Sequence, residues 1–171
     1  KRAFNKRISS LDKITSLLKK RWRTKNKVLL ERSIFLERMS QDNFINVTKQ
    51  CDIMLDPFYF GSGNTFYESM AYGIPFITYP HKQKPLIPSA GYKQMRIENP
   101  PIAISPEDYI NWCKVYSLDK NLLNKTRKDF IQKSNQYLFN DNEIYKEYYR
   151  FFTEAVEAAR KGKFLSSDWS A

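Results

Sequence analysis

Disulfide and metal chemistry have little to work with in this chain. Its 171 residues include two cysteines, Cys51 and Cys113, and one histidine, His81. Two cysteines make no disulfide framework, and no other ligand stands at metal-binding spacing from them. Both sit among apolar neighbours and read as reduced core thiols, which points to a cytoplasmic setting. No apolar run approaches the ~20 residues of a membrane span. The basic start is not followed by a continuous apolar core, so it is not a signal peptide. The first residue is Lys1 rather than Met, and the chain is expected to be a fragment or a processed product. Acidic residues are scarce at the start: residues 1–50 hold 14 Lys/Arg against four acids, Asp12, Glu31, Glu37 and Asp42. That is +10 of a net charge of +11.

What is present argues for a folded domain. A hydrophobic fraction of 42% with 15% aromatics excludes a disordered chain, and the length suits one domain with a real core. Ile8, Leu11, Ile14, Leu18 and Trp22 recur at three and four, which predicts an amphipathic helix over about residues 8–23. Val28 to Leu30 and "SIFL" at 33–36 read as short strands. A helix follows from Ser40 and Asp42 to about Lys49. "CDIMLD" ends at Pro57 and reads as a buried strand, Thr65 to Tyr72 as a short helix stopped by Gly73 and Pro75, and "PFITY" at 75–79 as the next strand. Ala90 to Arg96 suits a helical turn and "PIAI" a last short strand. Ser105, Asp119 and Asp141 are caps of three further helices, ending near Ser117, Leu138 and Ala159. This alternation predicts an α/β domain, a Rossmann-like parallel sheet with helices on both faces followed by C-terminal helices. The division expected is a basic helix over 1–27, a nucleotide-binding core over 28–118, C-terminal helices over 119–161 and a loose tail over 162–171.

The glycines concentrate in "DPFYFGSGNTFYESMAYGIP", residues 56–75. In parallel sheets ligands bind beyond the carboxyl ends of strands, where loops lead into helices. Gly61, Ser62, Gly63, Asn64 and Thr65 occupy such a place. Glycines at 61 and 63 permit positive φ and let several N–H groups converge, and a helix start favours an anion. Thr65 adds a hydroxyl. Glu68, one turn deeper on the same face, is badly placed for a phosphate and well placed for the two hydroxyls of a ribose. The loop with Thr and Glu therefore suggests a nucleoside diphosphate across the helix start. The competing reading is a capping box, with Thr65 and Glu68 satisfying each other's backbone and no ligand.

The segment "CDIMLDPFYFGSGNTFYESMAYGIPFITYP" resembles the donor-binding part of glycosyltransferases of the O-GlcNAc-transferase-like family. Asp52, Leu55, Asp56, Gly61, Thr65, Glu68, Gly73 and Pro75 meet that family's pattern in order. "RSIFLERMSQDNF" and "GYKQMRIENPPIAISPEDYINW" resemble the stretches on either side, so the likeness covers about residues 28–155. The resemblance implies half of a GT-B fold, the nucleotide-sugar-binding part of an inverting, metal-independent enzyme with a UDP-sugar as donor and no cofactor. It implies that Gly61 to Thr65 cradle the diphosphate, that Glu68 holds the ribose, and that Arg38, Met39 and Ser40 lie near the nucleobase. Phe44 falls where some members place a His over the nucleoside. It further implies that the acceptor site, for an acceptor that in one version is a protein, and usually the catalytic base come from the other domain, and that a diphosphate-binding lysine comes from a part upstream of these residues. The pattern is departed from after the Gly-x-Pro strand, where "PHKQKPLIPSAGY" lacks the usual Arg; Leu86 or a neighbour stands there, with Lys82 and Lys84 as the nearby cations.

The other candidates read as structural. His81 follows "PFITY" in a loop rich in Pro and Lys and reads as a surface residue. Cys113 lies in mid-helix beside Trp112 and Val115. The aromatics Tyr137, Phe139, Tyr145, Tyr148, Tyr149, Phe151 and Phe152 have the spacing of a packing face, and the family resemblance makes them a docking surface for the other domain. A reading of a different class is a non-catalytic basic module that binds RNA or an acidic protein through residues 1–50. The solvated helix face accounts for those charges more simply, and nucleic acid is not the expected partner.

Overall fold

The computed structural model describes residues 2–81, 86–166 and 169. The chain forms two compact units, Lys1–Gln41 and Asp42–Ala171. In the first, α1 (Arg2–Lys25) and α2 (Lys27–Glu31) meet at Asn26, whose Oδ1 accepts the Leu29 N–H at 3.0 Å and caps α2. The Trp22 ring lies 5.5 Å from that of Phe35, with Lys19 Nζ 4.6 Å from the Phe35 centroid. Val28 to Leu30 are thus helical, and residues 33–40 carry no regular structure, where strands were expected. Ile34 is 87% exposed, so this apolar run has no neighbouring strand to complete its burial.

The second unit runs through α3 (Gln41–Lys49), β1 (Met54–Leu55), α4 (Asn64–Ala71), β2 (Phe76–Ile77), α5 (Ile87–Gln94), α6 (Pro106–Leu118), α7 (Lys120–Ser134), a π-helical turn (Asn135–Phe139) and α8 (Glu143–Arg160). β1 and β2 pair in parallel, Met54 opposite Phe76 and Leu55 opposite Ile77. Beyond them, among the described residues, a single parallel bridge joins Thr78 to Ile102. The expected Rossmann-like sheet with helices on both faces, and with it half of a GT-B fold, is therefore corrected: the chain is mostly helical around a two-stranded sheet.

The sheet stops growing for identifiable reasons. Pro75, Pro100 and Pro101 have no N–H to give a ladder. Ile102 spends its own N–H locally, on the Pro100 carbonyl at 2.7 Å. The hydroxyl of Tyr92, fully buried on α5, takes both polar groups of Phe76: it accepts from the Phe76 N–H at 2.9 Å and donates to the Phe76 carbonyl at 3.0 Å. A side chain thus stands where a neighbouring strand would pair, and the segment around 102 meets β2 only at Thr78. Burial pushes the Tyr92 pKa well above that of a free tyrosine, so the group stays a neutral donor.

Side chains alternate across this short sheet. Phe76 joins Phe66, Met70, Tyr92, Met95 and Phe130 in one apolar cluster, while Ile77 joins Ala103, Tyr109, Tyr116 and Leu123 in another. α4 ends in a Schellman motif, with Gly73 N–H on Met70 O and Ile74 N–H on Ser69 O, both at 3.0 Å. Gly73 has φ +65°, and a Cβ there would collide with the Arg127 carbonyl oxygen of α7. Ser134 at the end of α7 donates its hydroxyl to Met70 O at 3.0 Å, fastening the same two helices. Ser105 and Asp119 cap α6 and α7 as expected, each accepting the N–H three residues on. At the start of α8 the N-cap is Asn142 rather than the expected Asp141, which stands one residue earlier and accepts the Glu143 N–H at 3.1 Å.

Two substitutions test this frame. Tyr92→Phe strands a buried N–H and a buried carbonyl on Phe76, so unfolding stability should fall by about 2–3 kcal/mol, measured by urea denaturation. Gly73→Ala combines a left-handed backbone, about 1–2 kcal/mol, with overpacking against α7 of about 1–3 kcal/mol. It should cost more than Tyr92→Phe, and a wild-type midpoint would show that α4 and α7 are not locked there.

Candidate functional site

The loop between β1 and α4 is held by one buried side chain. Asp56 follows β1 directly and is fully buried. Its Oδ1 accepts the Ser62 N–H at 3.0 Å, and its Oδ2 accepts the Thr78 hydroxyl at 2.6 Å. Its backbone carbonyl accepts the Tyr109 hydroxyl of α6 at 3.1 Å. One residue therefore ties the loop to the end of β2 and to α6. Burial raises the Tyr109 pKa, which keeps that hydroxyl protonated. The sequence pattern included Asp56, but its part as the clasp of the loop was missed. The available signal was an acid between an apolar strand and a glycine loop, where buried N–H groups need an acceptor.

Gly63 is the N-cap of α4, so Asn64 and Thr65 are the first two helical residues. Gly63 has φ −106°, so this loop does not use the left-handed conformation that its glycine permits. A Cβ on Gly63 would meet only Ile87 Cδ1, at 4.0 Å. With the cap at Gly63, Thr65 and Glu68 do not form a capping box. The N–H groups of Asn64 and Thr65, the Thr65 hydroxyl and the Glu68 carboxylate have no hydrogen-bond or ion-pair partner among the described residues. Thr65 and Glu68 are both half-buried and lie one turn apart on the same face of α4.

The remaining expected site residues are more scattered. Phe44 is half-buried on α3, in the same unit as the loop, and its carbonyl accepts the Thr48 hydroxyl at 2.9 Å. Arg38 and Ser40, both exposed, and the half-buried Met39 belong to the first unit. Lys82 and Lys84 lie outside the described residues. His81 is not a free surface group: it is half-buried and stacks on Tyr79, with centroids 5.1 Å apart and planes at 14°. Tyr79 in turn meets Phe58 edge to face, so an aromatic column stands just past the carboxyl end of β2. Cys113 donates its thiol to the Tyr109 carbonyl at 3.2 Å, and burial raises its pKa, so it is structural.

On α8, Tyr145, Tyr149 and Phe152 are 73%, 77% and 59% exposed, and no residue of the helix is fully buried. Tyr148 stacks on Phe152. Trp169 packs edge to face on Phe151 and donates its indole N–H to Glu154 at 2.6 Å. No helix among the described residues is long and apolar enough to cross a membrane. The chain matches no family model, no curated protein and no solved structure.

Asp56→Asn tests the clasp. Both carboxylate oxygens face donors, and an amide turns one of them into a donor. Stability should fall by about 1.5–3 kcal/mol, and the Ser62 amide should exchange its hydrogen faster. Unchanged exchange at Ser62 would mean that the loop holds its shape without Asp56.

Proposed function

We propose that the start of α4 binds the diphosphate and ribose of a nucleotide sugar, most simply a UDP-sugar, for transfer of the sugar to an acceptor. The observation that carries this reading is the set of unsatisfied groups on one face of α4. Two backbone N–H groups and the Thr65 hydroxyl are donors for phosphate oxygens, reinforced by the helix dipole. The Glu68 carboxylate, a turn deeper, is an acceptor for ribose hydroxyls. The cap at Gly63 excludes a capping box between Thr65 and Glu68, which supports this reading over that alternative. The resemblance of residues 52–75 to the donor-binding segment of O-GlcNAc-transferase-like enzymes supports the same assignment.

In such a reaction the glycosidic bond breaks toward the diphosphate, and negative charge grows on its oxygens. Fixed donors at Asn64 and Thr65 stabilise that charge as it forms, with no reorganisation during the step, while the Ser62 N–H of the expected cradle is given to Asp56. This chemistry calls for no metal at the diphosphate. The acceptor, a protein in one version of this reading, and the catalytic base belong to a further domain, and the exposed aromatics of α8 are the surface that domain would cover.

Glu68→Gln decides between ribose binding and an incidental carboxylate. Charged hydrogen bonds contribute about 1.5–3 kcal/mol each, so affinity for UDP should drop about tenfold or more by calorimetry. The unsubstituted chain should bind 2′,3′-dideoxy-UDP weakly, and the variant should no longer distinguish it from UDP. A variant that still discriminates strongly would remove Glu68 from the site. Thr65→Val should weaken UDP binding by about 1–3 kcal/mol and leave uridine binding unchanged; equal losses for both would refute the phosphate assignment.

A further inference from the structure

The first unit has a charge of its own kind. Residues 1–41 hold 13 Lys/Arg and three acids, +10, which leaves +1 for residues 42–171. Between Lys13 and Arg38 alone stand nine Lys/Arg against Glu31 and Glu37. One of these, Lys27, is paired with Glu31 at 3.6 Å. The same stretch leaves its aliphatic side chains in water: Ile14 is 61% exposed, Leu17 66%, Val28 61%, Ile34 87% and Leu36 56%. By helical position Lys13, Lys20 and Arg23 fall along one side of α1, with Ile14 and Leu18 along another and Leu17 at the boundary.

We propose that this unit seats on an anionic bilayer surface, with α1 lying in the headgroup plane rather than crossing it. Charge complementarity selects a polyanion, and the exposed aliphatics select among polyanions. A nucleic acid would satisfy the lysines and arginines and leave Ile14, Leu17 and Ile34 wet. An interface of headgroups over acyl chains takes both, with cations at the phosphates and aliphatics a few ångströms below. Crossing is excluded by nine Lys/Arg within the 24 residues of α1. The proposal does not depend on the nucleotide-sugar reading, because it uses only the first unit.

The test is co-sedimentation of the full chain with vesicles of phosphatidylcholine alone and of phosphatidylcholine with about one-third phosphatidylserine. Each basic residue at an anionic surface contributes ~1 kcal/mol, or about fivefold in partitioning. The chain should therefore bind the anionic vesicles at least a hundredfold more tightly, with the difference shrinking as salt is raised. Replacing Lys13, Lys20 and Arg23 by Gln should cost about a hundredfold. Ile14→Ser with Leu17→Ser should weaken vesicle binding about tenfold or more while leaving the affinity for an RNA oligonucleotide unchanged. Equal binding to both vesicle types would overturn the proposal, and that comparison needs no variant. So would an Ile14→Ser, Leu17→Ser chain that binds vesicles as the parent does, or RNA that displaces the chain fully from anionic vesicles at equal phosphate concentration.

Discussion

The carboxylate of Asp56 is the constraint on which the second unit turns. A buried charge must be fully hydrogen-bonded or it destabilises the fold by several kcal/mol. Asp56 meets that demand by drawing in the Ser62 N–H and the Thr78 hydroxyl, groups from different segments. Satisfying the charge therefore shapes the loop: the chain from Asp56 to Ser62 must return to within 3.0 Å of its own start before α4 begins. The Tyr109 hydroxyl on the Asp56 carbonyl extends the constraint to α6. The glycine loop is thus supported from below, which would keep the donors of the proposed site aimed without a ligand.

Tyr92 sets the limit of the sheet in the same way. Phe76 has one N–H and one carbonyl on the side away from β1, and both must be paired because Phe76 is 1% exposed. The tyrosine hydroxyl is both donor and acceptor, so a single group does what a neighbouring strand would do. A helix and a parallel strand thus compete for the same two atoms, and α5 wins at Phe76 while the 101–103 segment wins at Thr78. The outcome is a parallel pairing too short to form layers, with the apolar mass supplied by helices.

The helix starts were legible because their signals are local: Ser105, Asp119 and Asp141 each bond within three residues of themselves. The strands were legible as apolar segments at 54–55 and 76–77, but only the second is buried, Leu55 being 52% exposed, and the extent of the sheet was not legible. Pairing depends on partners far along the chain, and nothing near Phe76 announces that Tyr92, 16 residues on, will occupy its edge. "SIFL" and Val28 to Leu30 misled for the same reason. Three or four β-prone residues suit a strand only where another strand faces them, and Asn26, three residues before Leu29, was the local signal that a helix starts there instead. At the candidate site, spacing singled out Gly61 to Thr65 and Glu68, and the structure puts Thr65 and Glu68 on one face of α4 with Gly63 as its N-cap. Asp56 was visible but not its reach to Thr78, which is a contact across 22 residues.

The two ends of α4 differ in how their polar groups are met. At its carboxyl end the last carbonyls are taken up by the Gly73 and Ile74 N–H groups, and α7 closes over Gly73 through the Arg127 carbonyl and the Ser134 hydroxyl. At its amino end the first N–H groups, Thr65 and Glu68 are left unsatisfied among the described residues. A helix locked at one end cannot slide or tilt to find partners for the other. Free donors on a mobile helix would be satisfied by small shifts of the chain, whereas here they stay where Phe66 and Met70, both fully buried, hold them. For the proposed nucleotide-sugar site, preorganisation of this kind would lower the reorganisation cost of binding an anion, because the rigid packing of α4 against α7 was paid for in folding. The substitutions that loosen Gly73 or Ser134 should then act on the amino end as well, through the rigidity of eight residues of helix rather than through any contact with a ligand.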